Sequence, residues 1–104
     1  MATEQEIELE IQEKELTAPR VTPDIINATI AKEHYHIFQG TSLTVCVIEL
    51  KNGFTVTGES ACVSPENFDA EIGKKIAFDN AREKIWALEG YALADRIYRE
   101  GRKT

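Results

Sequence analysis

Three stretches of this chain alternate apolar and polar residues with a period of two, and three others repeat apolar residues at helical spacing. That combination predicts an α+β fold. The clearest alternation is Leu43 to Asp69, LTVCVIELKNGFTVTGESACVSPENFD, where two apolar runs flank Asn52-Gly53. Asn-Gly is the strongest short-range hairpin signal, because a type I′ turn needs positive φ at both central residues. A two-residue loop there pairs Lys51 with Phe54, Glu49 with Val56 and Val47 with Gly58. Leu43, Val45, Val47, Phe54 and Val56 then form the expected core face. Cys46, Ile48 and Leu50 lie on a half-apolar second face, which needs a helix or another subunit as cover. A bulge at the turn would swap the faces.

Before the hairpin, Glu6 to Ile11 alternates strictly and reads as an acidic N-terminal arm or edge strand over residues 1–15, although Glu favours helix. Residues 16–104 read as a single α+β domain. Pro19 and Pro23 interrupt regular structure. Thr22-Pro23-Asp24 is a helix start, with Thr as cap and Pro in the first turn. The spacing predicts a helix to about Glu33, ended by His34-Tyr35-His36 and Gly40. Beyond the hairpin, Ser64-Pro65-Glu66 starts a short turn. Asp69 caps or extends a long helix to about Leu88, with a stripe of Ile72, Ile76, Ala77, Ala81, Ile85 and Leu88. Glu89-Gly90 predicts a break before a last helix, Tyr91 to Glu100. The expected order is an N-terminal helix, an antiparallel hairpin-based sheet, then two C-terminal helices.

Charge narrows the function classes. The chain of 104 residues carries a net charge of −6, which argues against binding a nucleic-acid polymer or an anionic membrane. No apolar run approaches the ~18 residues of a membrane span, and the Glu-rich start lacks the features of a signal peptide. Residues 1–16 hold six Glu and one Lys, whereas Arg96, Arg99, Arg102 and Lys103 crowd the other end. The two ends could pair within or between subunits. Cys46 and Cys62 read as small buried residues and have no zinc spacing.

Candidate chemistry is sparse. Gly58-Glu59-Ser60-Ala61-Cys62 resembles a nucleophile elbow but lacks its second glycine. Cys62 as a nucleophile would need His34 or His36 as base. His34-x-His36 without a third ligand is no metal motif. No catalytic residue, metal ligand or cofactor is therefore expected. Arg96 and Arg99, three apart on the last helix, suit bidentate recognition of phosphate. Phe68, Trp86 and Tyr91 offer rings on which a base could stack, and Asn67 and Asn80 suit a base edge.

The residues LTAPRVTPDIINATI (16–30) and LTVCVIELKNGFTVTGESACVSPENFDAEIGKKIAFDNAREKIWALEGYALADRI (43–97) resemble a family of small proteins of tailed phages, known by two phage genes, forty-nine and sixty-six. That family is in turn similar to the phage Thoeris anti-defence proteins. Those are non-enzymatic oligomeric sponges for cyclic ADP-ribose-type or cyclic oligonucleotide signals. The resemblance implies a homo-oligomer in the cytoplasm of the infected host. It also implies a cyclic nucleotide ligand bound between subunits by Phe68, Asn80, Arg96 and Arg99. The alternative is an accessory protein that binds a host factor.

Overall fold

A computed structural model describes residues 3–14 and 18–101. The order is α1 (Glu4–Glu13), α2 (Pro23–Thr29), β1 (Ile30–Ile37), β2 (Thr44–Leu50), β3 (Thr55–Ser60), a 3₁₀ turn (Pro65–Asn67) and α3 (Ala70–Arg99). The strands form an antiparallel meander, β1-β2-β3. The α+β class and the hairpin-based sheet are as expected, and the C-terminal part is helical.

Residues 4–13 are a helix and not an edge strand. Thr3 and Glu6 stand at capping-box spacing, and the Thr3 hydroxyl accepts the Glu6 N–H at 3.1 Å. Lys14 pairs with Glu10 one turn back. With Glu at five of the described positions, helix propensity and capping outweigh a short period-two alternation. Glu15 lies outside the described residues, as do Arg102 and Lys103.

The second helix stops at Thr29, four residues short of the expected end, and the chain passes directly into β1. The Thr29 hydroxyl donates to the Ile26 carbonyl (2.7 Å). From Ile30 the alternation of His34, Tyr35 and His36 suits a strand, so both histidines lie mid-strand and not at a helix end.

The hairpin register differs from the expected one by a single residue. Glu49 pairs with Thr55, Ile48 with Val56 and Cys46 with Gly58. The Leu50 N–H donates to Phe54 O (2.8 Å) and the Gly53 N–H to Leu50 O (2.9 Å). Gly53 has φ of 90°. The loop is therefore three residues, Lys51-Asn52-Gly53, with the glycine in the left-handed position of a bulged turn. One residue of slip exchanges the faces of β2 relative to β3. Thr44, Cys46, Ile48 and Leu50 face the core with Val56, and Val45 and Val47 lie half-buried on the opposite face.

The cover on that core face is α3. Its Gly73, Ala77, Ala81 and Ile85 are buried, and with Ile26 from α2 they complete the core. Asp69 caps the helix, its carboxylate accepting from Glu71 N and Ile72 N at 2.9 and 3.1 Å. The expected break at Glu89-Gly90 is absent: α3 runs unbroken for 30 residues. It is therefore about 45 Å long against strands of about 23 Å. No residue of α3 beyond Ile85 is buried.

Two packing details generate predictions. A Cβ at Gly58 would stand 2.2 Å from Ala81 N and 2.3 Å from Ala77 O, both backbone atoms. Gly58→Ala should cost at least the upper end of the ~1–3 kcal/mol typical of overpacking, read as a lower denaturant midpoint. Thr44 is fully buried, and its hydroxyl has no hydrogen-bond partner among the described residues. Thr44→Val, of similar shape, should stabilise the fold by about 1 kcal/mol in the same assay.

Candidate functional site

The four residues expected to bind a ligand are spread along the C-terminal part of the fold. Phe68 follows the 3₁₀ turn, half-buried, with its ring beside Gly73 at the start of α3. Asn80 is on α3, and its side-chain amide donates to the Glu59 carbonyl of β3 at 2.8 Å. Arg96 and Arg99 lie in the last turn, both exposed. Arg99 pairs with Asp95 at 2.7 Å. The arginines stand about 40 Å along the helix from Phe68. One copy of the chain therefore does not bring the four together.

The residues weighed for catalysis are engaged otherwise. Ser42 clamps the chain after β3: its hydroxyl donates to Cys62 O at 2.6 Å and accepts from Cys62 N at 3.1 Å. The Cys62 thiol points to Asn67 O at 3.8 Å. His34 and His36 lie on the open face of β1, two strands away from β3. His34 bonds the Glu49 carboxylate across the sheet, which holds that carboxyl below its usual range. The His36 ring meets Phe38 edge-on at 4.5 Å. Neither Ser60 nor Cys62 forms a hydrogen bond with a base among the described residues. Nor do three His, Cys, Asp or Glu side chains there group in a way that could hold a metal ion.

The sequence reading missed how α1 is attached. Arg82 forks onto Glu4 at 2.6 and 3.2 Å, while its Nε donates to the Asn27 side-chain oxygen at 3.0 Å. Arg20 forks onto Glu8, one of its bonds being 2.9 Å. Glu4 and Glu8 are four apart, so they share one helix face. The acidic arm thus pairs with Arg20 and Arg82, and the opposite charge of the two chain ends does not point to either. No residue of α1 is buried. Beneath it runs a groove of about 480 Å³ lined by Ile7, Ile11, Val21, Pro23 and Trp86.

A second groove, of about 490 Å³, opens between β1 and α3. Tyr35 and Phe78 form its apolar wall, Lys74 and Lys75 its basic side, and Glu33, Glu71 and Asp79 its acidic side. Lys74 Nζ lies 5.7 Å from the centre of the Tyr35 ring. Burial, together with Cys46 and Glu33 nearby, raises the Tyr35 phenol far above its ordinary value, so it stays protonated. It donates to the Glu33 carboxylate at 3.2 Å. With three carboxylates against two lysines, this groove is no anion site.

Residues 21–97 match the Phage protein (N4 Gp49/phage Sf6 gene 66) family. The chain belongs to this family. The match covers the domain from the residue before the Thr22 cap to Ile97 and does not include α1. No curated protein and no solved structure matches the chain. Among the described residues, no helix of this phage protein is long and apolar enough to cross a membrane.

The Glu4–Arg82 and Glu8–Arg20 pairs make the docking of α1 pH-dependent. The hydrogen bonds from Arg82 and Arg20 lower the two carboxyl pKa values, outweighing desolvation. Carboxyls depressed in the folded state stabilise it above their unfolded range, and that contribution is lost as pH falls through the lowered values. α1 should therefore stay docked down through the ordinary carboxylate range and release only below it. Trp86, the single tryptophan, lines the groove and reports release as a red shift. Arg82→Gln should give that shift at neutral pH, and added salt should strengthen it.

Proposed function

We propose that this phage protein is a non-enzymatic binder that sequesters a cyclic nucleotide immune signal, of cyclic ADP-ribose or cyclic oligonucleotide type, in the cytoplasm of the infected host. The observation that carries the reading is the exposed Arg96 and Arg99 pair at the end of a helix in which no described residue beyond Ile85 is fully buried. Two guanidinium groups one turn apart suit the phosphates of such a ligand. The resemblance to the oligomeric sponges supports it, as does the lack, among the described residues, of a serine or cysteine hydrogen-bonded to a base. The separation between Phe68 and the arginines requires a second copy, which contributes the opposite end of its own α3. Asn80, on the exposed side of the helix, supplies the base-edge contact. The Phe68 ring shapes the start of α3 as well as offering a stacking surface.

A second reading, a module that occupies a host protein, has one observation in its favour. No described helix packs on the outer sheet face, where Val45 and Val47 lie between His34 and His36 on one side and Thr57 on the other. The face to which the sequence pattern gives that role, Cys46, Ile48 and Leu50, is covered by α3.

Native mass spectrometry with a panel of cyclic nucleotides tests the first reading. It predicts stoichiometric occupancy, release of intact ligand and a rise in melting temperature. Arg96→Gln and Arg99→Gln should each weaken binding by about 10- to 100-fold, the worth of a charge-assisted hydrogen bond, without altering the fold. If no cyclic nucleotide binds and host lysate yields a specific protein complex, the second reading replaces the first.

A further inference from the structure

The long helix α3 has three sides, and among the described residues its own chain occupies two of them. Gly73, Ala77, Ala81 and Ile85 face the sheet. Arg82 and Trp86 turn to α1 and α2. On the third side, at 3.6 residues per turn, Ile72, Ile76, Ala87, Tyr91, Ala94 and Tyr98 fall within an arc of about 100°. All six are exposed: Ile72 at 56%, Ile76 at 45%, Tyr91 at 74% and Tyr98 at 80%, with both alanines open. The stripe is apolar at its two ends and polar in its middle, where Asn80 and Glu83 fall.

We infer that this side is covered by α3 of a second copy lying antiparallel to it, with the two-fold axis near the level of Ile85. That alignment sets Ile72 opposite Tyr98 of the partner subunit and Ile76 opposite Ala94 of the partner subunit, and the symmetry repeats both contacts at the other end. The two apolar ends then meet each other, with the Tyr98 ring against the aliphatic Ile72, while Tyr91 falls at the level of Asp79 and Asn80 in the polar middle. A parallel pair would instead set Tyr98 against its own copy and bring two basic last turns together. Charge favours the antiparallel choice. The first turn of α3 is acidic (Glu71, after the Asp69 cap) and the last turn is basic (Arg96, Arg99), so each end lies beside its complement and the helix dipoles oppose.

The area is of the right order for an interface between two copies. Two tyrosines alone bring about 300–500 Å² per copy. With the isoleucines and alanines the stripe approaches the ~800 Å² per partner of a standard interface. The pairing rests on the helix and not on the ligand reading. It supplies what that reading needs, because it brings Arg96 and Arg99 of one copy to the same end of the assembly as Phe68 of the other.

Opposite charges written into one chain test the alignment. The full chain should sediment as a dimer. Ile72→Glu alone and Tyr98→Lys alone should each shift it to monomer, with unchanged far-UV circular dichroism because both sites are exposed. The double variant Ile72→Glu/Tyr98→Lys should return to dimer, since the antiparallel pair sets the new carboxylate against the partner's new ammonium. Three results would overturn the inference: a wild-type monomer at every concentration reached, single variants that leave the oligomer intact, or a double variant that stays monomeric. A dimer that takes up no cyclic nucleotide counts against the ligand reading alone. A monomer that takes one up counts against this pairing alone.

Discussion

The fold depends on how closely α3 approaches β3 at Gly58. There the helix backbone at Ala77 and Ala81 fills the space that any side chain would need, so the contact admits hydrogen only. Two alanines facing a glycine let helix and sheet interlock at a short distance. The larger residues Ile26, Ile48 and Ile85 then close the core around that contact. This single approach decides several other features. It selects which sheet face is inside, sets the line of α3 along the hairpin, and turns Asn80 to the Glu59 carbonyl. It also leaves the side of the helix bearing Ile72 and Tyr98 exposed.

Much of this was legible in the residues, because some signals act locally. The Thr22 cap followed by Pro23, the Asp69 cap and the Ser64-Pro65 turn each form from neighbouring atoms and appear where the sequence places them. Asn52-Gly53 marks the turn correctly and its register incorrectly. Gly in a left-handed position suits a two-residue loop and a bulged three-residue loop alike, and only packing against α3 selects between them. The same packing explains why Val45 and Val47 look like core residues and are not. Nothing in β2 alone says which of its two apolar faces a helix will cover. The arm was misread for a different reason. Its alternation favours a strand, but Thr3, Glu6 and the run of Glu favour a helix, and among the described residues no adjacent strand overrides them. At Gly90 the chain stays helical because the helix-forming residues on both sides offset the cost of one glycine.

The candidate site was legible only as chemistry. Residue types suited to a phosphate and a base were recognisable, yet their placement along 45 Å of helix followed only from the absence of a break at Gly90. Under the proposed ligand reading, that placement calls for a second copy. The forks from Arg82 and Arg20 to Glu4 and Glu8 were beyond reach for the same reason. They join residues 78 and 12 positions apart, and no local pattern encodes such pairings. The family match covers the sheet, α2 and α3 as far as Ile97, so it takes in most of the exposed side of α3 but neither Tyr98 nor Arg99.

The central claim is the proposed pairing: α3 gives its first half to its own sheet, and α3 of a second copy covers the exposed side from Ile72 to Tyr98, the more so beyond Ile85, where the sheet no longer supports the helix. Amide hydrogen exchange along α3 over a dilution series tests it most directly. Residues 73–85 should stay protected at every concentration, while protection of residues 88–99 should fall as the protein is diluted. Equal protection of both segments, unchanged by dilution, would contradict the account.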